Sequence, residues 1–176
     1  MLVTRPEGEG QERLSQLLRD EGAEPVLAPA IRIEPPADPG PLRRAVAALS
    51  SASARGHGSS RGAPAVTADE YVVFTSANGV RAFFAEVAEQ SRDARVLARA
   101  TVVAIGPATA AALSAHGVRA DVVPTEFRGE AAAAAIVAHA GARITGARVL
   151  IPRAEVAREI LPETLRAAGA SVDVVP

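Results

Sequence analysis

A change of hydrophobic period within residues 70–90 constrains the fold more than any other feature of this sequence. Residues 71–74 (YVVF) form a β-favouring run, and the polar residues 75–78 (TSAN) follow it. Apolar side chains then recur with the i, i+3, i+4, i+7 spacing of one helix face, at Val80, Phe83, Phe84 and Val87. The pattern predicts a buried strand, a tight polar turn and a helix whose first turn lies at residues 76–79.

Ser76 and Asn78 stand where this helix begins, and both residue types are favoured helix N-caps. A helix start leaves backbone N–H groups without intrahelical partners and carries a partial positive charge, so it suits a bound carboxylate or phosphate. Two interpretations of the turn follow: the polar residues only cap the helix, or they also bind an anion.

The rest of the chain repeats the alternation of strand and helix. Strand patterns lie at residues 2–4, 25–33, 101–105, 119–123, 148–151 and 172–175. Helical patterns lie around residues 14–18, at 41–49, at 110–116, at 130–139 and in a helix through 166, which Pro162 kinks or restarts. Residues 50–68, rich in Ser, Gly and Ala, are typical of a surface loop. This alternation predicts an α/β fold with a parallel sheet and right-handed crossovers.

In such sheets the turns that follow the strands gather along one edge, where ligands bind. Here that edge would collect residues 75–78, 106–109 and 125–129, together with Arg153. Three of these segments are helix entries rich in Gly, Ser or Thr, and two carry arginine. Their convergence, more than any one of them, indicates a binding site.

Composition excludes several kinds of chemistry. The chain has no cysteine and no lysine, which removes thiolate nucleophiles, disulfides, the P-loop lysine and Schiff-base chemistry. A net charge of −1 argues against a nucleic-acid partner. His57, His116 and His139 lack ligand spacing, so we interpret them as surface residues and expect no metal site. With no apolar run of membrane length and no signal-peptide pattern, we expect a cytoplasmic protein without a membrane partner.

The two ends of the chain resemble each other at a constant offset of 147 residues. Leu14 corresponds to Leu161, Leu18 to Leu165, and the Gly-Ala pair at 22–23 to the pair at 169–170. This repeat predicts two related βαβ units, each needed by its own sheet domain. The alternative is that both are ordinary βαβ units with similar stop signals.

Several motifs, in this order, resemble uroporphyrinogen-III synthases: LVTRP at 2–6, VFTSANGV at 73–80, AIGPATA at 104–110 and LIPR at 150–153, which leads through LPE at 161–163 to GA at 169–170. The resemblance implies two flavodoxin-like α/β domains joined by a two-stranded ladder. Residues 1–35 would be the N-terminal βαβ fragment of domain one, and residues 36–176 would be domain two including the crossover strand. We expect the return half of domain one, with a cleft-facing tyrosine, to lie outside this chain.

The resemblance also implies an activity. Family members are lyases that convert hydroxymethylbilane, a linear tetrapyrrole with eight carboxylates, into uroporphyrinogen III for haem biosynthesis. They invert the D ring and release water, and they use no cofactor and no metal. On this basis Thr75, Ser76 and Asn78 would bind substrate at one helix entry, and Thr109 with the backbone near Gly106 would bind it at the next.

Four charged residues extend this candidate site. Arg5 and Arg153 follow predicted strands and are candidate substrate-binding partners for carboxylates, with solvated strand-end arginine as the alternative. Glu126 and Glu155 are candidates for proton transfer, although acidic residues are common at helix starts for electrostatic reasons alone.

Other interpretations are weaker or stay open. A synthase-like module that binds a tetrapyrrole or another polyanion without turnover is the alternative function. A receiver or dinucleotide-binding domain lacks its acidic pair, its lysine and its Gly-x-Gly-x-x-Gly motif here, and a periplasmic binding protein would need an export signal. Because residues 1–35 would lack their partner half, we expect that segment to self-associate or to be disordered.

Overall fold

The structure is a computed structural model that describes residues 1–32, 34, 36–54, 69–154 and 159–176. By its internal contacts the chain divides into two compact units, Met1–Pro35 and Pro36–Pro176. In the described part of the chain, none of the helices has both the length and the hydropathy to cross a membrane.

The first unit is a minimal βαβ motif. Strand β1 (Leu2–Val3) leads into helix α1 (Glu9–Asp20), and strand β2 (Val26–Leu27) returns parallel to β1. The predicted strand at 25–33 is therefore much too long. Two backbone bonds continue the contact with β1 past the end of β2, from Ala28 N–H to Val3 O and from Ala30 N–H to Thr4 O.

The first unit leaves much of its apolar surface in water. Leu2 on β1 and both residues of β2 are largely exposed, and Leu17 on α1 is exposed as well. Among the described hydrophobic residues of this unit, only Val3 is buried. A two-stranded sheet with so little buried apolar surface is only marginally stable by itself.

The second unit is a three-layer α/β/α domain. Its strands are β3 (Glu70–Phe74), β4 (Thr101–Ala104), β5 (Arg148–Pro152) and β6 (Ser171–Val175). Its helices are α2 (Gly40–Ala54), α3 (Ala77–Glu89), α4 (Pro107–Ala115), α5 (Gly129–Ala140) and α6 (Ile160–Ala167), with 3₁₀ turns at Ala94–Leu97 and Gly141–Ile144. The strands run parallel in the order β4-β3-β5-β6, so the predicted parallel α/β fold is confirmed.

The sheet divides the apolar side chains between two cores. Along β3, Val72 and Phe74 pack with α2, α3 and α4, whereas Tyr71 and Val73 pack with α5 and α6. All four side chains are fully buried. A parallel strand covered by helices on both faces is apolar throughout instead of alternating, which is why residues 71–74 form an uninterrupted β-favouring run.

Three boundaries differ from the sequence-based expectation. Helix α2 continues to Ala54, so the predicted loop at 50–68 begins too early, and its remainder from 55 lies outside the described residues. Helix α4 begins at Pro107, three residues before the predicted start, because proline suits the first helical position. The predicted strand at 119–123 is reduced to one bridge between Val103 and Val122. There the Asp121 carboxylate accepts the Val102 N–H at 2.7 Å and takes the place of a backbone partner.

The far end of the chain agrees more closely with its pattern. Pro162 falls in the first turn of α6, where a proline is tolerated and does not kink the helix. Gly169 then takes a positive φ of 95° after the helix ends. The preceding residues 155–158 are outside the described part of the chain.

Tyr71 allows a test of the second core by pH. Its buried hydroxyl lies 3.3 Å from His139 Nδ1, and the Asp69–Arg143 ion pair lies nearby. Burial raises the pKa of Tyr71, Asp69 raises it further and Arg143 partly offsets them. The fold therefore favours the neutral phenol, and the stability that this contributes is complete below the unfolded-state pKa of about 10 and is lost as pH rises through the higher folded-state value.

We therefore predict that the free energy of unfolding falls above about pH 10 and that Tyr71→Phe removes this fall. Urea unfolding at stepped alkaline pH measures the stability, and phenolate absorbance reports ionisation, because Tyr71 is the single tyrosine. The absence of lysine and cysteine keeps other side chains from titrating in this window. Phenolate appearing at an ordinary pKa, with no loss of stability, would contradict the prediction.

Candidate functional site

The carboxyl end of β3 lies at the point where the strand order of the sheet reverses. From β3 the chain crosses through α3 to β4 on one side, whereas from β5 it crosses through α6 to β6 on the other side. Because β3 and β5 are neighbours, their outgoing connections diverge here, and this is the position at which open α/β sheets bind ligands. We call the segments gathered here, residues 75–79, 105–109, 125–129 and 152–154, the carboxyl edge.

The turn after β3 is an ordered helix entry. Ser76 has an extended backbone, and its Oγ accepts the Gly79 N–H at 3.1 Å, so it is the predicted N-cap. Val80 donates the first intrahelical bond to Ser76 O. The N–H groups of Ala77 and Asn78 precede that bond and lie at the positive end of α3.

The two other polar residues of this turn differ in their contacts. Thr75 is half-buried at the end of β3. Asn78 is exposed, and its Oδ1 accepts a hydrogen bond from the Arg81 guanidinium one turn along α3. An arginine therefore lies on the exposed side of this helix entry, where it adds positive charge.

The turn after β4 lies directly beside the turn after β3. Ile105 N–H donates to Phe74 O at 2.9 Å, which joins the two strand ends. Gly106 caps α4 with a positive φ of 94°, a conformation that glycine adopts without strain. The predicted juxtaposition of the two helix entries is present in the structure.

Thr109 is bound within its own helix. Its hydroxyl donates to Ile105 O at 3.1 Å, and the residue is only 3% exposed. This bond ties the first turn of α4 to the end of β4. Contact between this hydroxyl and substrate stays a prediction, and it would require the bond to Ile105 to open.

Arg153 and Arg5 have different environments. Arg153 is buried at the end of β5, its backbone N–H donates to Val175 O at 2.9 Å, and its guanidinium pairs with Glu159 just before α6. A solvated strand-end arginine is therefore the wrong description of Arg153. Arg5 is exposed in the first unit and donates to Gly10 O at 3.3 Å. An open groove of about 470 Å³ in the same unit is lined by Pro6, Glu7 and residues 29–32.

The remaining candidates are engaged in local contacts. Glu126 forms an exposed ion pair with Arg128. His116 is exposed and stacks on Phe84 with ring centroids 4.1 Å apart, and His139 is exposed and contacts Tyr71. Glu155 and His57 lie outside the described residues. Within the ranges that the structure describes, His, Cys, Asp and Glu form no group of three or more that could hold a metal ion.

Two residues of the carboxyl edge were not singled out from the sequence. Phe127 is 59% exposed, and its ring lies over Gly106, where an added β-carbon would come within 3.4 Å of it. The sequence signal that could have identified Phe127 is its position as a lone aromatic residue among the polar residues 125–129 (TEFRG). Glu159 pairs with buried Arg153, and no spacing in the sequence indicated that pair.

The carboxyl edge therefore presents backbone N–H groups at two adjacent helix starts and the half-buried Thr75 hydroxyl, and it contains Arg128 paired with Glu126 and buried Arg153 paired with Glu159. These groups can hold carboxylates in fixed positions through hydrogen bonds and charge. A doubly wound parallel sheet with polar helix entries at its switch point defines an α/β domain of the ligand-binding class.

Comparison with solved structures agrees with this fold. A crystal structure of a mutant uroporphyrinogen III synthase from the extreme thermophile Thermus thermophilus superposes with a TM-score of 0.59 at 18% identity, over 97% of this chain and 59% of that one. The wild-type protein in another crystal form gives a TM-score of 0.55 at 18% identity, over 96% and 58%. These similarities establish the fold.

Sequence comparison establishes the family. The family model described as uroporphyrinogen-III synthase HemD matches residues 12–176, and the chain belongs to that family. It is 31% identical over its whole length to a uroporphyrinogen-III synthase of Synechococcus elongatus, and 32% identical to the porphyrin biosynthesis protein HemD of Ruminiclostridium josui. The chain spans 58% of the length of the first relative and 31% of the second.

The approach of α3 to β5 yields a stability test. A β-carbon added at Gly79 would lie 2.9 Å from the carbonyl oxygen of Pro152, a backbone atom that cannot rotate away. We predict that Gly79→Ala lowers the free energy of unfolding by about 1–3 kcal/mol, although alanine is the better helix former by about 1 kcal/mol. Urea unfolding at neutral pH measures the change.

Gly10→Ala is the matched control, because it makes the same substitution in the first turn of α1. There the nearest atom to the new carbon is the Arg5 guanidinium, at 3.7 Å, which is an ordinary contact. We expect this variant to be no less stable than the parent. Equal stability of the parent and Gly79→Ala would mean that the carboxyl ends of β3 and β5 are not held as close as described.

Proposed function

We propose that this chain acts in the conversion of hydroxymethylbilane to uroporphyrinogen III, with inversion of the D ring and loss of water. One observation carries the proposal: in a member of this family, the helix entries after β3 and β4 adjoin each other at the carboxyl edge. The Ile105–Phe74 hydrogen bond at 2.9 Å holds them together.

The chemistry of the substrate explains why such an edge suffices. Hydroxymethylbilane is a flexible polyanion, and the unguided reaction closes it to the wrong isomer. The main task is to hold one folded arrangement of four rings, which lowers the entropic part of the barrier. Fixed N–H donors at helix starts bind the carboxylate arms without reorganising.

The residues divide this task by position. Ser76 and Asn78 frame the N–H groups at the start of α3, and Thr75 offers its hydroxyl beside them. Gly106 positions the start of α4, and buried Arg153 lies at the end of β5, where a substrate carboxylate would compete with Glu159 for its guanidinium. Arg5, exposed in the first unit, supplies a further cation for a carboxylate arm.

Thr75→Val tests the proposal, because it removes one hydroxyl while keeping the shape of the side chain. We predict that kcat/KM for isomer III falls roughly tenfold or more, the loss expected for one hydrogen bond to a charged group. Hydroxymethylbilane generated enzymatically is incubated with the chain, the products are oxidised, and uroporphyrins I and III are separated and quantified.

Thr101→Val is the control variant. Thr101 is also half-buried, and it pairs through β4 with β3 at the opposite end of the sheet. This variant should keep the parent's rate. If the parent binds the tetrapyrrole but forms no isomer III, the chain is a binding module and not a synthase. If Thr75→Val matches the parent, the role assigned to Thr75 is wrong.

Self-association through the first unit is also part of the proposal. Among the residues that the structure describes, β1 and β2 pair only with each other, which leaves one edge of each strand unpaired, and exposed Val26 and Leu27 form β2. Such edges pair readily with other strands. We predict a sedimentation coefficient that rises with concentration, and we expect Leu27→Lys to abolish the rise.

Val123→Lys, which places the same charge on an apolar residue of similar exposure in the second unit, serves as the comparison. It should leave the association unchanged. A parent chain that stays monomeric across the concentration range would refute self-association.

A further inference from the structure

Phe127 is exposed in a chain that otherwise buries its phenylalanines. Phe74, Phe83 and Phe84 are between 0% and 7% exposed, whereas Phe127 is 59% exposed. It lies between Glu126 and Arg128, whose side chains are exposed and pair with each other. Pro124, three residues before it, is buried and anchors the loop to the domain.

An aromatic residue at this position has a common structural role in proteins. Arg128 is the N-cap of α5, so Phe127 occupies the position before the cap, which often packs on the fourth helical residue as a hydrophobic staple. That residue is Ala132, which is fully buried in the second core. Phe127 contacts Gly106, at the start of a different helix, and more than half of its surface is still exposed.

The surroundings of the ring suit a flat apolar group that carries acids. One part of the ring lies over Gly106, and the exposed remainder lies beside the start of α4. The pairing of Glu126 with Arg128 reduces the repulsion that a free carboxylate would exert on an anionic ligand, although Glu130 remains in the first turn of α5. Each ring of the linear tetrapyrrole is flat and bears carboxylate arms, and aromatic rings attract one another in stacked or edge-to-face pairs.

We infer that Phe127 is a specificity-determining residue that packs against one pyrrole ring of the tetrapyrrole bound at the carboxyl edge. This inference rests on the proposed function. The ring supplies apolar contact and orientation, and the carboxylate arms are left to the N–H groups and arginines of the edge. Such a contact selects ligands with rings over aliphatic polycarboxylates, which charge alone would not do.

Equilibrium binding of uroporphyrin III, the stable fluorescent oxidised form of the product, tests the contact. Fluorescence anisotropy of the porphyrin is titrated with the full chain, which contains no tryptophan to interfere. Phe127→Ala should weaken binding roughly tenfold, at the upper end of measured aromatic-pair contributions. Phe127→Tyr keeps the ring and should bind within about twofold of the parent.

Two controls separate this role from a structural one. Val123→Ala trims another exposed apolar side chain that precedes α5 and should not change binding. An aliphatic tricarboxylate, used as a competitor, should bind the parent and Phe127→Ala equally, because it has no ring to contact. Thermal unfolding of each variant should match that of the parent, since Phe127 is mostly exposed.

Each outcome decides the question. Weakened porphyrin binding that Phe127→Tyr restores, with the tricarboxylate unaffected, supports the inference. Parent-like porphyrin binding by Phe127→Ala overturns it while leaving the proposed function in place. A parent chain that binds no porphyrin overturns both this inference and the proposed tetrapyrrole site, and that failure appears in the parent before any variant is compared.

Discussion

The pairing of β3 with a parallel neighbour on each side is the constraint on which the carboxyl edge depends. Tyr71 is aligned with Thr101 on β4 and with Val149 on β5, so one strand sets the register of both. Because successive side chains of β3 enter different cores, a slip by one residue would send each to the wrong face. The strand ends, and the helix entries after them, are therefore held in place by the burial of both faces.

Two glycines let the elements of this edge approach each other, and they do so in different ways. Gly79 brings the start of α3 against the Pro152 carbonyl, where a side chain has no room. Gly106 needs its positive φ to turn from β4 into α4, and its missing side chain also leaves a surface for Phe127. The close approach of backbone segments therefore shapes the site. Its hydrogen-bond donors are largely main-chain N–H groups, and the pairing of the strands fixes their positions.

The features that depend on backbone period could be read from the sequence, and those that depend on a single side chain could not. The strand, turn and helix around Ser76 follow from a change of period and a capping residue, and parallel strands necessarily bring their following turns to one edge. By contrast, the pattern at 119–123 suits a strand, but the Asp121 carboxylate occupies a backbone donor of β4. The burial of Arg153 depends on its ion pair with Glu159. The Thr109 hydroxyl is engaged because it donates a hydrogen bond to the Ile105 carbonyl. Such pairings carry no periodic signal.

The repeat between the two ends of the chain shows how far local sequence determines structure. Both copies form a parallel βαβ motif, β1-α1-β2 and β5-α6-β6, as the offset of 147 residues predicts. Their registers differ by one residue: Leu2 pairs with Val26, and the offset would pair Val149 with Asp173, but the structure pairs Val149 with Val172. Their burial differs as well, since β5 packs against β3 and between helices while β2 is exposed. Similar segments thus reach the same topology, while register and burial follow from the neighbours that each strand acquires.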